Sequence, residues 1–264
     1  MEIPTGSATL AAEETGSGPD VLLVHAGVTD QRSWRQVVEA LPEHRCLTFD
    51  ARGYGRTTYE EDEGWSKVSD ALAVLDAYGV DRAVVVGASM GGKTSLDLTL
   101  LHPDRVRALV LIGPAISGAP EVDVEEGVKP LEAALVAADE RGDLEEVNRL
   151  EAHVWLDGPL VPEGRVGGAA RELFLDMNGR ALAAADPGDD DSGVLAWDRL
   201  GEITVPTLVL VGELDLLEIR DGCAHAARQM PDARLVELPG VAHLPHLEGD
   251  ERTLAEIAAF VRSV

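Results

Sequence analysis

A serine between two glycines is the residue of this chain best suited to act as a nucleophile. The stretch VVVGASMGGKTSL begins at Val84 and places Ser89 between Gly87 and Gly91, after aliphatic residues and before a helical pattern. A sharp turn from strand to helix needs flanking residues without side chains, and it exposes the serine beside the first N–H groups of the helix. Those N–H groups can stabilise an oxyanion. The alternative is a serine that only hydrogen-bonds to the backbone of a turn.

Six aliphatic runs predict the strands that would position such a site. They read VLLVHAG from Val21, HRCLTFD ending at Asp50, RAVVVG from Arg82, RVRALVLIG from Arg105, PTLVLVG from Pro206 and ARLVELPG from Ala233. Helical patterns lie between most of them, namely SWRQVVEALP, the stretch from Trp65 to Tyr78, GGKTSLDLTLLHP, the run after Glu218 and LAEIAAFVRSV. This alternation predicts the α/β class, with a doubly wound, mostly parallel sheet covered by helices on both faces.

The alternation is interrupted between Ser117 and about Trp197, where the sequence has helical patterns and no convincing strand. We therefore predict a helical insertion over residues 117–197, between two parts of a core domain at residues 1–116 and 198–264. The segment DPGDDDSG, which starts at Asp186, is the most loop-like part and is predicted to mark the return to the core.

Five motifs, in order over nearly the whole chain, resemble the α/β-hydrolase family. They are HAG at residues 25–27 with Trp34 beyond it, FDARGYGRTT at 49–58, GASMGG around Ser89, LVGELD ending at Asp215, and LPGVAHLPHLE with His243. Two positions depart from the family pattern: Ala26 stands where glycine is usual, and Thr57 where serine is usual. The resemblance implies the α/β-hydrolase fold. None of the five motifs lies in the helical insertion, which we expect to form a lid over the sheet edge.

The resemblance implies a catalytic triad of Ser89 as nucleophile, His243 as general base and Asp215 as the acid that orients the base. Asp215 and His243 each follow an aliphatic run by a few residues, so both should emerge with Ser89 at the carboxyl edge of the sheet. His246 is the alternative base. The family pattern of a histidine followed five residues later by a glutamate, here Glu248, favours His243.

Two neighbouring carboxylates are alternatives to Asp215. Glu213 comes just before it, and Glu218 lies further into the next segment. Asp215 could also be a turn residue without a catalytic role. Its place directly after the strand favours it as the acid.

The oxyanion hole is expected to use the N–H of Met90, the residue after the nucleophile, and a second N–H from the HAG loop. Counting back from Trp34 gives Gly27 as this second donor. Because Ala26 stands where the family has glycine, the N–H of Val28 remains an alternative. Three further residues are expected to brace the loops around the site: His25, Asp50 and Arg52.

The substrate pocket is expected to use side chains of the HAG loop and of the insertion. Val28, Trp155 and Trp197 are the main candidates, and Leu156, Phe174 and Met177 could also line an apolar acyl site. Amphipathic helices bury such residues routinely, so packing is the alternative for each of them. Because aromatic residues make up only 4% of the chain, we expect small or aliphatic acyl groups.

The charge balance excludes several classes of partner. Acidic residues outnumber basic ones 48 to 22, giving a formal net charge of −26, which would repel nucleic acid and anionic lipid. Cys46 and Cys223 form no CxxC or zinc pattern and are expected to be free thiols. The sequence shows neither a secretory leader nor an apolar stretch of membrane-spanning length, so we expect a cytoplasmic protein without metal or organic cofactor.

The function predicted from these residues is a serine hydrolase of carboxylesterase or lactonase type that acts on a small-molecule ester or lactone. Carbon–carbon bond hydrolases, perhydrolases and acyltransferases share the same motifs and remain alternatives. A receptor or scaffold of this fold with little turnover is a further alternative. The protein is expected to be a monomer or a homodimer.

Overall fold

Nine strands form one sheet in the computed structural model, which describes residues 1–62, 64–190 and 192–264. They are β1 (Glu2–Thr5), β2 (Ala8–Gly16), β3 (Asp20–Val24), β4 (Arg45–Phe49), β5 (Thr58–Tyr59), β6 (Ala83–Ala88), β7 (Val106–Ile112), β8 (Thr207–Gly212) and β9 (Ala233–Leu238). Their order is β1-β2-β4-β3-β6-β7-β8-β9, and β5 pairs with β2. All pairings among β3, β4 and β6 to β9 are parallel.

The six predicted strands are all present, and three further strands were not predicted. β1, β2 and β5 pair antiparallel to their neighbours, and β2 joins them to the edge of the parallel sheet. Their sequences lack a continuous aliphatic run, because the second half of β2 is exposed and contains Glu13 and Glu14. At the other edge, β9 is largely exposed although its sequence resembles that of a buried strand.

Helices cover both faces of the sheet. They are α1 (Arg35–Ala40), α2 (Lys67–Ala77), α3 (Met90–Leu101), α4 (Lys129–Glu140), α5 (Leu144–Ala152), α6 (Gly168–Leu182), α7 (Leu217–Gln229), α8 (Pro245–Glu248) and α9 (Glu251–Ser263). One apolar core packs α2, α3 and α7 on one face, and a second packs α1 and α9 on the other. Side chains of β6 alternate between them: Val85 enters the first core, whereas Val84 and Val86 enter the second. The predicted doubly wound α/β architecture is confirmed.

The segment between β7 and β8 carries α4, α5 and α6, and its described residues form no strand. A π-helical turn at His153–Asp157 ends α5. Phe174 and Met177 of α6 join the core that also contains α1 and α9, so this segment packs on the sheet domain. The boundaries at 117 and 197 stay predictions, and the predicted loop DPGDDDSG includes residue 191, which lies outside the described residues.

Both cysteines are buried free thiols, as their spacing predicts. Burial raises the pKa of Cys46 to about 11, so its thiol stays protonated and unreactive at neutral pH. Within the described ranges, every helix is too short or too polar to cross a bilayer.

Candidate active site

Ser89 lies at a strained turn between β6 and α3. Its backbone has φ 50° and ψ −113°, and it is the only described residue other than glycine with a positive φ. Gly87 and Gly91 make the turn possible: a Cβ on Gly87 would clash with the carbonyl oxygen of Gly91, and one on Gly91 with that of Val24. The two glycines of the motif are therefore required by close backbone contacts.

His243 and Asp215 form a buried pair. His243 Nδ1 lies 2.8 Å from Asp215 Oδ2, and both side chains are about 1% exposed. A carboxylate only accepts, so Nδ1 carries the proton, and Nε2 is left with a free lone pair. This Nε2 is buried and has no hydrogen-bond partner among the described residues. The other oxygen of Asp215, Oδ1, accepts from the N–H of Leu216 at 2.8 Å, which fixes the carboxylate.

The end of β7 brings Ser89 and the His243–Asp215 pair to the same edge of the sheet. Ser89 N donates to Ile112 O at 2.9 Å, and Gly113 is the next residue. A Cβ on Gly113 would lie 3.0 Å from His243 Nδ1 and 3.2 Å from Asp215 Oδ2. Gly113 therefore packs against the His243–Asp215 pair, directly after the residue that bonds to the serine turn. The sequence analysis did not single out Gly113.

The alternatives for the base and the acid lie elsewhere. His246 stacks on Trp34, with ring centroids 4.5 Å apart, and neither of its buried nitrogens has a partner among the described residues. Burial lowers the pKa of His246 to about 3. Glu213 accepts from the N–H of Gly240 at 2.9 Å, and Glu218 lies in the first turn of α7. None of these contacts involves His243.

The loop after β3 and the start of α3 meet at the proposed oxyanion site. A Cβ built on Gly27 would lie 3.7 Å from Met90 Cβ and 3.5 Å from the hydroxyl of Tyr54. The only partner of this hydroxyl among the described residues is the Met90 sulfur, at 3.7 Å. Val28 is half-buried next to Gly27. The choice between the N–H groups of Gly27 and Val28 stays a prediction.

His25 uses both of its ring nitrogens to hold this loop. Nε2 accepts from the N–H of Ala51 at 3.0 Å, so Nδ1 carries the proton and donates to Ala26 O at 2.8 Å. Burial lowers the pKa of His25 and keeps the ring neutral. Tyr54 packs edge-on against this ring, with centroids 4.9 Å apart.

The other two expected bracing residues also make structural contacts. Asp50 accepts from the N–H groups of Gln31 and Arg56, at 3.0 and 2.8 Å. Arg52 is buried and pairs with Asp70, with 2.8 Å between Nε and Oδ2. These bonds connect the loop after β4 to the HAG loop and to α2.

Of the predicted pocket residues, Trp155 packs against His243, the candidate base. Its ring lies 4.8 Å from the ring of His243, and it belongs to the π-helical turn after α5. Trp197 instead stacks on His225 of α7, with ring centroids 3.9 Å apart, and its backbone N–H donates to Ser117 O. Neither contact of Trp197 involves Ser89, Asp215 or His243.

Arg165 joins the inserted segment to the loop that carries His243. Its guanidinium pairs with both oxygens of Glu248, at 2.7 and 2.8 Å, and also donates to Gly240 O at 3.1 Å. Glu248 in turn accepts from the N–H of Ala242 at 3.2 Å, next to His243. The glutamate that helped to select His243 in the sequence therefore supports the histidine loop.

Comparison with known proteins gives relatives over the whole chain. A family model described as "alpha/beta hydrolase fold" matches residues 19–250. The chain is 27% identical to a pimeloyl-(acyl-carrier protein) methyl ester esterase of Nitrosospira multiformis, over 97% of this chain and 100% of that protein. It is also 27% identical to a 2-hydroxy-6-oxo-6-phenylhexa-2,4-dienoate hydrolase of Burkholderia cepacia, over 87% and 83% of the two chains.

Solved structures agree with these relatives. A thermophilic esterase from Thermogutta terrifontis superimposes with a TM-score of 0.75 and is 26% identical, over 100% of this chain and 98% of that one. The resemblance recognised in the motifs is thus confirmed at the level of the whole fold. The chain belongs to the alpha/beta hydrolase fold family.

Proposed function

We propose that this protein is a serine hydrolase that cleaves a small-molecule carboxylic ester or lactone through an acyl-enzyme on Ser89. The observation that carries the proposal is the 2.8 Å contact between His243 Nδ1 and Asp215 Oδ2, which leaves Nε2 as an unpartnered base at the edge where Ser89 turns. The methyl ester esterase named among the relatives supports the ester reaction.

The reaction needs two steps with one base. Ser89 Oγ attacks the carbonyl carbon while His243 Nε2 takes its proton, and the N–H groups of Met90 and Gly27 stabilise the oxyanion. Nε2 then gives this proton to the leaving alcohol as the ester bond breaks. Water attacks the acyl-enzyme, Nε2 accepts its proton and passes it to Ser89 Oγ, and the carboxylic acid leaves. Asp215 stabilises the imidazolium in both steps.

In this proposal the inserted helices act as a lid. Trp155 lies against the ring of His243, and Met177 accepts a hydrogen bond through its sulfur from the N–H of Asp30, at 3.4 Å. These two contacts, one with His243 and one at the end of the loop that contains Gly27, support the proposal of a lid. Trp155 and Val28 are the proposed pocket residues beside the reacting carbonyl, whereas the contacts of Trp197 give it no such position.

Carbon–carbon bond hydrolysis is the second candidate, because the relative from Burkholderia cepacia carries the name of a dienoate hydrolase. The same serine, base and oxyanion site could serve that reaction. Kinetics with phenyl esters and with a 2-hydroxy-6-oxo-dienoate as competing substrates would separate the two.

The test is hydrolysis of p-nitrophenyl acetate and butyrate by the wild type and by Ser89→Ala, with fluorophosphonate labelling and intact mass on both. We expect turnover and one adduct in the wild type and neither in the variant. Partition of the acyl-enzyme between water and an added alcohol separates a hydrolase from an acyltransferase. A folded wild type that neither turns over nor labels would contradict the proposal and favour a receptor or scaffold.

A further inference from the structure

Helix α5 places an acidic side chain on the face that contacts the site. Glu151 lies four residues before Trp155, and residues at this spacing share one side of a helix. Trp155 touches the ring of His243. Glu151 therefore lies on the same side of the helix as Trp155, about one turn before it.

Glu151 is half-buried and has no basic partner. Its Oε2 accepts from Asn178 Nδ2 at 2.6 Å, and its Oε1 has no hydrogen-bond partner in the part of the chain that the structure describes. Asn178 is 2% exposed and follows Met177, which accepts a hydrogen bond from the loop after β3. The carboxylate thus lies where the inserted helices meet the proposed oxyanion loop. Burial raises the pKa of Glu151, as expected for a carboxylate without a cation.

A second group connects Glu151 to the reacting centre. The hydroxyl of Tyr54 lies beside Gly27 and Met90. Burial raises the pKa of Tyr54 to about 12, and the negative charge of Glu151 adds to this effect. The Tyr54 phenol therefore lies at the loop proposed for the oxyanion, within range of the electric field of the Glu151 carboxylate.

The basic residues of the insertion are already paired. All six in residues 117–197 have a carboxylate within 4.0 Å: Lys129, Arg141, Arg149, Arg165, Arg171 and Arg180. Arg32 and Arg52 in the adjacent core loops are paired as well. No cation among these is left to compensate Glu151 or to bind a carboxylate on the substrate.

We propose that Glu151 determines substrate specificity by binding a positively charged group, an ammonium, on the substrate of Ser89. A half-buried carboxylate without a cation is costly, and an ammonium from the substrate would compensate it through a charge-assisted hydrogen bond to the free Oε1. A substrate carboxylate would instead meet a like charge and no free cation. The preferred substrate class is an ester or lactone with an amino group. The inference rests on the proposed function, since the ligand is the substrate of that reaction.

The activity test uses three phenyl esters of equal chain length: hexanoate, 6-aminohexanoate and the monoester of adipate. We expect the wild type to prefer the amino ester over the adipate by about tenfold or more in kcat/KM, and Glu151→Gln to bring this ratio close to one. Glu145→Gln is the matched control, because Glu145 is an exposed residue of the same helix and loses the same charge. A control that changes the ratio as much as Glu151→Gln would refute a local role.

The binding test does not depend on catalysis. Calorimetry measures the affinity of Ser89→Ala, with and without Glu151→Gln, for the anilides of the same three acids. A preference for the ammonium ligand that disappears with Glu151→Gln supports the proposal, and equal affinity for ammonium and carboxylate overturns it. If the wild type neither hydrolyses the esters nor reacts with the fluorophosphonate, the proposed function fails. The affinities for the ammonium and carboxylate anilides still decide whether Glu151 binds an ammonium group. Glu151→Met is a second neutral variant in case Glu151→Gln does not fold.

Discussion

Replacing Ser89 with glycine should abolish activity and yet make the protein more stable. The backbone angles of Ser89, φ 50° and ψ −113°, are the mirror image of a common extended conformation. A residue with a Cβ is strained there, whereas glycine adopts mirror-image conformations about as readily as the ordinary ones. The serine is therefore held in its conformation by the rest of the fold.

The size of the effect follows from two opposing terms. Relief of the strain at one such residue is worth about 1–3 kcal/mol. The greater freedom of glycine in the unfolded chain costs about 0.5–1 kcal/mol. The Ser89 hydroxyl has no hydrogen bond among the described residues, so its removal costs no bond. We expect Ser89→Gly to raise the free energy of unfolding by about 1 kcal/mol, and Tm by about 2–4 °C.

Ser89→Ala is the matched control, because it also removes the hydroxyl but keeps the Cβ and the strain. Urea unfolding and calorimetry of the wild type and the two variants would measure the difference. We expect the alanine variant to lie within about 0.5 kcal/mol of the wild type. If the glycine variant is no more stable than the alanine variant, the reasoning about stored strain is refuted.

Two further predictions concern the ring of His243 and a buried histidine. Gly113→Ala should lower kcat at least tenfold, because its methyl group would lie 3.0 Å from His243 Nδ1. Gly79→Ala is the control: Gly79 has a similar positive φ and no neighbour within 4 Å of the added methyl group, so this variant should lose stability but not kcat. An equal loss of kcat in both variants would contradict this. The pKa of His246 is about 3 in the folded state and about 6.5 when unfolded. Below pH 6.5 the unfolded chain therefore binds more protons than the folded protein. The free energy of unfolding then decreases by about 1.4 kcal/mol for each unit by which the pH is lowered, down to about pH 3. When the pH is lowered from 7 to 5, the free energy of unfolding of His246→Phe, measured with urea, should decrease by about 2 kcal/mol less than that of the wild type. Equal decreases in the two proteins would rule out this role of His246.

Five of the six parallel strands could be predicted because they are largely buried on both faces and therefore mostly apolar. The sixth, β9, has a similar sequence although it is largely exposed. β2 could not be predicted, since half of it is exposed at the edge of the sheet. Asp215 and His243 could be proposed as site residues because each falls in a motif of the family and follows a parallel strand, which brings both side chains to one edge of the sheet. This rule has a limit: it says nothing about residues whose role depends on a second layer of helices.

Glu151 and Arg165 are examples of that limit. Glu151 is one of several acidic residues in α5, and only the fold shows that it turns inward to Asn178. Arg165 meets Glu248 across 83 positions of sequence, in a segment with no strand or helix of its own. Gly113 could have been found, because it directly follows β7, the strand next to β6 in the sheet.

The contacts of Arg165 connect the loop of the proposed base, His243, to a segment that is synthesised earlier. Besides Glu248 and Gly240, this side chain donates to the carbonyl oxygens of Leu156 and Asp157. Arg165 leaves the ribosome before the loop of His243, so its guanidinium lacks the carboxylate of Glu248 until that residue emerges. A nascent chain can therefore complete its serine turn early, but it gains a supported base only when the region around Glu248 folds back onto the insertion.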